Sequence, residues 1–114
     1  MMSKQIKLFL DDERFPPAPE SDWIIVRTVE EAIEFVEQNG WVHFVSFDND
    51  LSTRPDGTPH RQGWEFAEWL INHDLNHGGM PDGFSFYVHS QNPVRRKDIE
   101  DRLNRYLEYK RNGR

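Results

Sequence analysis

Short apolar segments alternate with amphipathic stretches along this chain, and that alternation restricts its fold more than any other feature. Four segments have strand length and strand composition, at residues 6–10, 24–28, 42–47 and 84–89. Residues 11–22 contain two adjacent prolines and no helical period, which predicts an extended crossover. The predicted order of β, loop, β, α, β, α, β, α favours a parallel sheet covered by helices on both faces.

Local signals mark the ends of the three predicted helices. Thr28 and Glu31 form a capping box, and Gly40 is a typical stop signal. Asn92 before Pro93 is a favoured start for the last helix. The apolar residues at helical spacing are Val29, Ala32, Ile33 and Val36, then Trp64, Ala67, Leu70 and Ile71, then Ile99, Leu103, Tyr106 and Leu107.

The length and composition exclude several classes of protein. A chain of 114 residues has room for one domain with a modest core, so residues 1–114 are predicted to form a single domain. No apolar run approaches the ~20 residues of a spanning helix, and the N-terminus lacks the apolar stretch of a signal peptide. Because cysteine is absent, a metal site needs oxygen or histidine ligands, and a cytoplasmic location is expected.

Polar residues follow three of the four predicted strands. They are Asp11, Asp12, Glu13 and Arg14 after the first strand, Asp48, Asn49 and Asp50 after the third, and His89, Ser90, Gln91 and Asn92 after the fourth. Ligands of open parallel sheets bind outside the carboxyl ends of the strands, so these groups are expected to converge. Carboxylates at this density suit a hard cation such as Mg²⁺, which offsets the repulsion between them.

Each of these residues also has an ordinary structural explanation. Asp11 and Asp12 together could form a solvated turn, and Asp48 with Asp50 could cap the loop that follows. His89 could simply pack at the end of a strand. The coincidence favours a shared site, because three independent explanations would have to place polar groups at one edge of the sheet.

Taken together, the segments LFLDDERFPP, WIIVRT, VSFDNDL, QGWEFAEWL and YVHSQNPV resemble the cyclic-phosphate processing receiver-like domain. This family is a branch of the CheY-like receiver superfamily that is common in phages and bacteria, and the resemblance covers roughly residues 6–107. It implies a small, truncated CheY-like (flavodoxin-like) three-layer α/β sandwich with a four-stranded parallel sheet in the order 2-1-3-4. The family is proposed to act on cyclic phosphates.

The resemblance also implies a metal site. Asp11 and Asp12 match the acidic pair of the family, and Asp48 matches the phospho-acceptor aspartate of receivers, which places Asp48 among the catalytic residues as well. These three carboxylates are expected to hold Mg²⁺ or Mn²⁺, with Asp50 as a direct or outer ligand. The cation would polarise the phosphoryl group and activate water.

Further residues are expected to bind substrate and transfer protons. Arg14 matches the arginine of the family and would clamp phosphate oxygens. His89 and Ser90 match the histidine–serine pair of the family, and His89 would protonate the leaving alkoxide as a cyclic ester opens. Arg54 and Arg61 lie in the connection after the third strand, which would cover the site and contact the rest of the substrate.

Several positions depart from the pattern of the family. Asn49 stands where the family often has His, Gln62 where Thr is usual, and Arg95 where Gly is common. A receiver has a fifth strand with an invariant lysine, whereas Lys97 and Lys110 here lie in a helical context. That difference argues against ordinary phosphotransfer signalling.

Three functions are therefore considered. The first is a metal-dependent phosphoesterase for a cyclic phosphate of a nucleotide or an RNA end, and the second is a non-catalytic degenerate receiver that binds phosphate or a protein partner. The third is a nucleic-acid-binding protein, because residues 95–114 carry 8 basic and 4 acidic residues whereas residues 1–94 carry 6 and 16. A solvated helix that complements an acidic body is the simpler explanation of that asymmetry.

Overall fold

The computed structural model describes residues 6–12, 14–16, 23–48, 51, 61–89 and 93–112. The strands are β1 (Lys7–Leu10), β2 (Trp23–Val26), β3 (Phe44–Phe47) and β4 (Ser85–Val88). The helices are α1 (Val29–Asn39), α2 (Gly63–His77) and α3 (Pro93–Arg111). All neighbouring strands are parallel and their order is β2-β1-β3-β4, which confirms the predicted α/β class, sheet and strand order.

The register of the sheet brings three site residues to one edge. The strands end side by side at Leu10, Val26, Phe47 and Val88. Asp11, Asp48 and His89 each follow one of these residues, and their backbone N–H groups donate to the neighbouring strand at 3.2, 2.9 and 2.8 Å. The hydrogen bonds between strands therefore fix the backbone of all three residues, independently of any contact between their side chains.

The helices that the structure describes pack on one face of the sheet. A single apolar core joins Leu8, Leu10, Val45, Phe47 and Val88 of the strands to Val29, Ala32 and Val36 of α1, Phe66, Ala67 and Leu70 of α2, and Ile99, Leu103 and Tyr106 of α3. Alternate strand residues face the other way. The described residues therefore form two layers, whereas three were expected.

The handedness of the connections explains this arrangement. The β2–β3 and β3–β4 connections run in the same direction across the sheet, so right-handed crossovers place α1 and α2 on the same face. The β1–β2 connection runs in the opposite direction and would place a helix on the other face. Its described residues form no helix, as the extended crossover predicted.

Caps define the helix ends near the site. The Thr28 hydroxyl accepts from the N–H of Glu31 at 3.0 Å, and α1 ends at Gly40 with φ of 91°, as predicted. The Gln62 side chain forms two hydrogen bonds with the backbone of Leu51, at 3.1 and 3.4 Å. The predicted cap at Asn92 lies outside the described residues. None of the described helices is long and apolar enough to cross a membrane.

A buried carboxylate joins α2 to α3 at the edge of the sheet opposite the site. Asp74 accepts from the N–H of Met80 at 3.0 Å, and from the Tyr106 hydroxyl and the Lys110 ammonium group at 2.6 Å each. Burial alone would raise the pKa of Asp74, but these hydrogen bonds outweigh it and lower the pKa. Burial and the nearby carboxylate raise the pKa of Tyr106 well above its usual value.

Candidate metal and phosphate site

Three titratable side chains from three strands meet at the carboxyl edge of the sheet. Asp11 and Asp48 are buried and His89 is partly buried. Each offers one potential ligand atom, and these atoms lie within 4.8 Å of one another. The structure thus brings together one predicted residue from each of the strand ends that the sequence singled out.

Asp11 contacts both the guanidinium group of Arg14 and the ring of His89. Its Oδ2 lies 3.4 Å from Nε of Arg14 and accepts from Nε2 of His89 at 3.0 Å. Its Oδ1 accepts from the backbone N–H of Arg14 at 2.9 Å. The Asp11 side chain is 0% exposed and that of Arg14 is 46% exposed. Arg14 therefore links a buried carboxylate to the solvent-accessible rim of the site.

The His89 ring is held on three sides. Nε2 donates to Asp11, and Nδ1 lies 2.8 Å from the Ser46 hydroxyl, which donates to it when the ring is neutral. The ring stacks on Phe9 with a centroid separation of 4.8 Å and an interplanar angle of 2°. Burial lowers the pKa of His89, Asp11 opposes that effect, and the charge of Arg14 adds to it. The neutral ring, with its proton on Nε2, is therefore favoured.

Ser46 is a site residue that the sequence analysis missed. It lies on β3 beside Phe9 of β1 and Tyr87 of β4, on the face away from the helices. The available sequence signal was a hydroxyl residue inside an otherwise apolar strand. Ser90 itself lies outside the described residues.

Arg27 is a second residue that the sequence analysis did not select. Its Nη1 donates to the backbone carbonyls of Asp11 at 3.0 Å and Arg14 at 2.6 Å. Its guanidinium group lies 4.9 Å from the centre of the Phe15 ring. Arg27 follows β2 directly, so it fixes the turn after β1 from the neighbouring strand.

Two predicted residues that the structure describes, Asp12 and Arg61, are not part of this cluster. Asp12 is partly buried, and it is not part of the group formed by Asp11, Asp48 and His89. Arg61 lies just before α2, with its Nε 3.4 Å from Glu65. The two predicted residues in the intervening segment, Asp50 and Arg54, lie outside the described residues.

The donor set fits a divalent cation. Two adjacent carboxylates buried at one edge repel each other, and a cation between them offsets that cost. Carboxylate oxygens are the ligands preferred by Mg²⁺ and Mn²⁺. Both nitrogens of His89 contact protein groups, so the ring is a neighbour that orients the Asp11 carboxylate.

A parallel sheet of this order with an acidic carboxyl edge defines a receiver-like protein. The family model of the cyclic-phosphate processing receiver domain matches residues 6–105, and the chain therefore belongs to that family. Searches of curated proteins and of solved structures gave no match. Membership in the family points to a role in cyclic-phosphate processing and to a ligand that carries phosphate.

Proposed function

We propose that this chain is a metal-dependent hydrolase that opens a cyclic phosphate ester of a nucleotide or an RNA end. The observation that carries the proposal is the meeting of Asp11, Asp48 and His89 within 4.8 Å, in a chain of the cyclic-phosphate processing family. Such a cluster combines ligands for a cation with a group that can move a proton.

Asp11 and Asp48 hold the cation in this proposal. A divalent cation, Mg²⁺ or Mn²⁺, supplies Lewis-acid polarisation of the phosphoryl group when it is bound there. Asp12 and Asp50 remain predicted further ligands, on the basis of their positions after the first and third strands and of the family resemblance. Both Asp11 and Asp48 are buried, which strengthens the electrostatic interactions of their carboxylates relative to those in water.

Arg14 binds and orients the phosphate. Its backbone N–H and its Nε both contact Asp11, so the side chain starts from a fixed position at the rim. The terminal nitrogens of a guanidinium group match two phosphate oxygens at once. Arg27 supports this placement by binding the carbonyl of Arg14. Arg54 and Arg61 remain predicted contacts to the substrate, and Ser90 remains a predicted catalytic residue.

His89 supplies the proton that the leaving group needs. Water adds its hydroxyl group to phosphorus and releases its other proton to solvent, and one ester P–O bond breaks. The released alkoxide takes a proton from Nε2 of the protonated His89 ring, which becomes neutral with its remaining proton on Nδ1 and is protonated again from solvent. Ser46 and Phe9 keep the ring in one orientation while this happens. The lowered pKa makes the protonated ring a stronger acid, while the protonated form becomes a smaller fraction of molecules near neutral pH.

A substrate screen tests the proposal directly. Cyclic mononucleotides, cyclic dinucleotides and RNA ends with 2′,3′-cyclic phosphate are incubated with Mg²⁺ or Mn²⁺, with and without a chelator. We expect at least one substrate to be hydrolysed, and the chelator to abolish the reaction. Cation binding without turnover of any cyclic phosphate would instead support the non-catalytic receiver.

The contacts of α3 favour a solvated helix over a nucleic-acid surface. Lys97 pairs with Asp101 at 3.6 Å, Arg102 with Glu68 at 2.7 Å, and Lys110 with Asp74 at 2.6 Å. Partners within the protein offset these positive charges. Salt-dependent binding of RNA without any metal requirement would contradict this interpretation. The expected cytoplasmic location stays a prediction.

A further inference from the structure

The face of the sheet opposite the three described helices carries a groove that ends at the candidate site. Its volume is about 390 Å³, within the range of about 300–1,000 Å³ that is usual for small-molecule sites. Its aromatic lining comes from Phe9, Phe15, Trp23, Phe44 and Tyr87. Its polar lining consists of Arg14, Ser46 and His89. We call this feature the aromatic groove, and it is continuous with the candidate site.

The rings of the aromatic groove form a packed floor with an open rim. Trp23 makes edge contacts with Phe9 at 5.8 Å and with Phe44 at 5.7 Å between ring centroids. Phe15 and Tyr87 are 62% and 59% exposed. Exposed aromatic rings beside a packed aromatic floor offer stacking surfaces to a flat ligand, because offset stacking buries apolar area without needing a hydrogen bond.

The charge of the aromatic groove suits a phosphate ester. Among the described residues that line it none is acidic, and Arg14 lies at the end that meets the site. At the amino end of β1, the Lys7 ammonium group lies 4.7 Å from the centre of the Trp23 ring and adds a second positive charge. A ligand with a flat ring and an anionic group matches this lining better than an apolar peptide or a cation does.

Building on the proposed function, we propose that the aromatic groove is a subsite for the nucleobase of the substrate. The phosphate lies at Arg14 and the Asp11–Asp48 pair, and the base stacks against Tyr87 and Phe15. Because every base has a π face, such stacking binds different bases without reading their edges. The subsite would therefore select nucleoside phosphates over phosphate esters that lack a base.

Binding of two ring-opened phosphates tests this subsite without interference from turnover of a cyclic ester. The probes are adenosine 3′-monophosphate and 1-O-methylribose 3-phosphate, which carries no base, and each is titrated by calorimetry in the presence of Mg²⁺. We expect the adenosine probe to bind the wild-type protein at least fivefold more tightly. Equal dissociation constants for the two probes would overturn the subsite, while leaving the phosphate site intact.

Variants at exposed positions locate the subsite. Tyr87→Ala should weaken binding of the adenosine probe roughly five- to a hundredfold, the usual range for loss of one base–aromatic stack, and should leave the base-free probe unchanged. Phe15→Ala should act in the same direction. Tyr87→Phe keeps the ring and should bind normally. Tyr109→Ala is the matched control, because Tyr109 is 46% exposed on α3 and does not line the groove.

The remaining outcomes separate the subsite from its alternatives. Equal weakening of both probes by Tyr87→Ala would place its effect on the phosphate site and overturn the subsite. Failure of both probes to bind the wild-type protein would contradict the phosphate site itself, and the subsite with it. The wild-type protein could also prove to be a dimer that dissociates in Tyr87→Ala but not when the adenosine probe is added. That result would assign the groove to contact between two copies of the chain and overturn the subsite.

One further arm of the experiment identifies the source of the base. A short oligoribonucleotide ending in a 3′-phosphate carries the same terminal base and phosphate as the adenosine probe. Tighter binding of the oligonucleotide, with the same loss in Tyr87→Ala, would identify an RNA end as the ligand. Equal affinity for the two would identify a mononucleotide. Either result supports the subsite.

Discussion

Buried carboxylates lie at both edges of the sheet, and they are balanced in different ways. At the amino edge, Asp74 of α2 accepts from a hydroxyl group and an ammonium group of α3 and from a backbone N–H of the segment that follows α2. At the carboxyl edge, Asp11 lies within reach of a second buried carboxylate, Asp48. The first arrangement joins two helices, whereas the second gathers negative charge at an edge lined by the solvent-accessible Arg14.

The comparison shows how the same side chain serves stability in one place and binding in another. The partners of Asp74 come from helices that pack on each other, so its interactions form only when the fold is complete. Asp11 and Asp48 repel each other, and a bound cation would relieve that repulsion. Substitutions at the amino edge should therefore change the free energy of unfolding, whereas substitutions at the carboxyl edge should change turnover or cation binding.

The largest expected effect is on turnover. His89→Ala should reduce hydrolysis of a cyclic phosphate by roughly a hundredfold to ten-thousandfold, the usual range for a positioned proton donor. Its affinity for Mg²⁺ should fall much less, by roughly tenfold, because His89 contacts the carboxylate of Asp11 and not the cation. Initial rates and calorimetric cation titrations measure the two quantities. His77→Ala, which removes an exposed histidine of α2, is the control. A wild-type rate of hydrolysis in His89→Ala would show that His89 takes no part in the mechanism.

The next effect is on cation-dependent stability. Mg²⁺ should raise the thermal midpoint of the wild-type protein, because a ligand bound only by the folded state stabilises it, by about 2.7 kcal/mol at a hundredfold excess over Kd. Asp48→Asn should lose this shift together with turnover, whereas Asp74→Asn should keep the shift. Equal Mg²⁺ shifts in Asp48→Asn and wild type would count against a metal site.

At the other edge the expected effect is on unfolding alone. Asp74→Ala should lower the free energy of unfolding by about 2–3 kcal/mol, because it leaves the Tyr106 hydroxyl and Lys110 without their shared acceptor. Urea unfolding measures the change, with the exposed Asp82→Ala as its control. Turnover at a temperature where both variants are folded should match the wild type. A large loss of activity in folded Asp74→Ala would mean that the two edges are coupled.

The smallest effect should appear in the pH dependence of stability. The pKa of Asp74 is lowered from 3.8 in the folded protein, so its contribution is present above that value and is lost as pH falls through the folded pKa. The pKa of Tyr106 is raised above 10, so its contribution is present below pH 10 and is lost at higher pH. Unfolding curves of wild type and Asp74→Asn should therefore converge in acid. A constant difference down to about pH 2 would contradict the assignment.

Much of the fold followed from residue patterns. The convergence of Asp11, Asp48 and His89 could be predicted because parallel strands place their ends at one edge, whereas the strand order followed from the resemblance to the family. The single layer of helices among the described residues differs from the expected arrangement. An extended connection at residues 11–22 is a local prediction, whereas the face on which each helix packs depends on the handedness of each crossover and not on any local sequence signal.

The details of the site were harder to predict for physical reasons. Adjacent residues of an extended chain point in opposite directions, so Asp11 is buried while Asp12 remains partly exposed. The bonds from Ser46 to His89 and from Arg27 to the turn after β1 span residues far apart in sequence. No local pattern encodes such contacts, since they arise only when the strands are aligned.

The two bonds between Gln62 and the backbone of Leu51 have a consequence for how this chain can vary. The amide side chain of Gln62 forms the same two hydrogen bonds with the peptide groups of Leu51 that a neighbouring strand would form. Leu51 and Gln62, which flank the interval 52–60, are therefore held together independently of the residues between them. The entropy of closing a segment between fixed ends costs only about 0.6 kcal/mol more for each doubling of its length. Insertions in this interval should therefore be tolerated by the sheet, which makes it the natural place for related proteins to differ in length and for a peptide tag to be introduced.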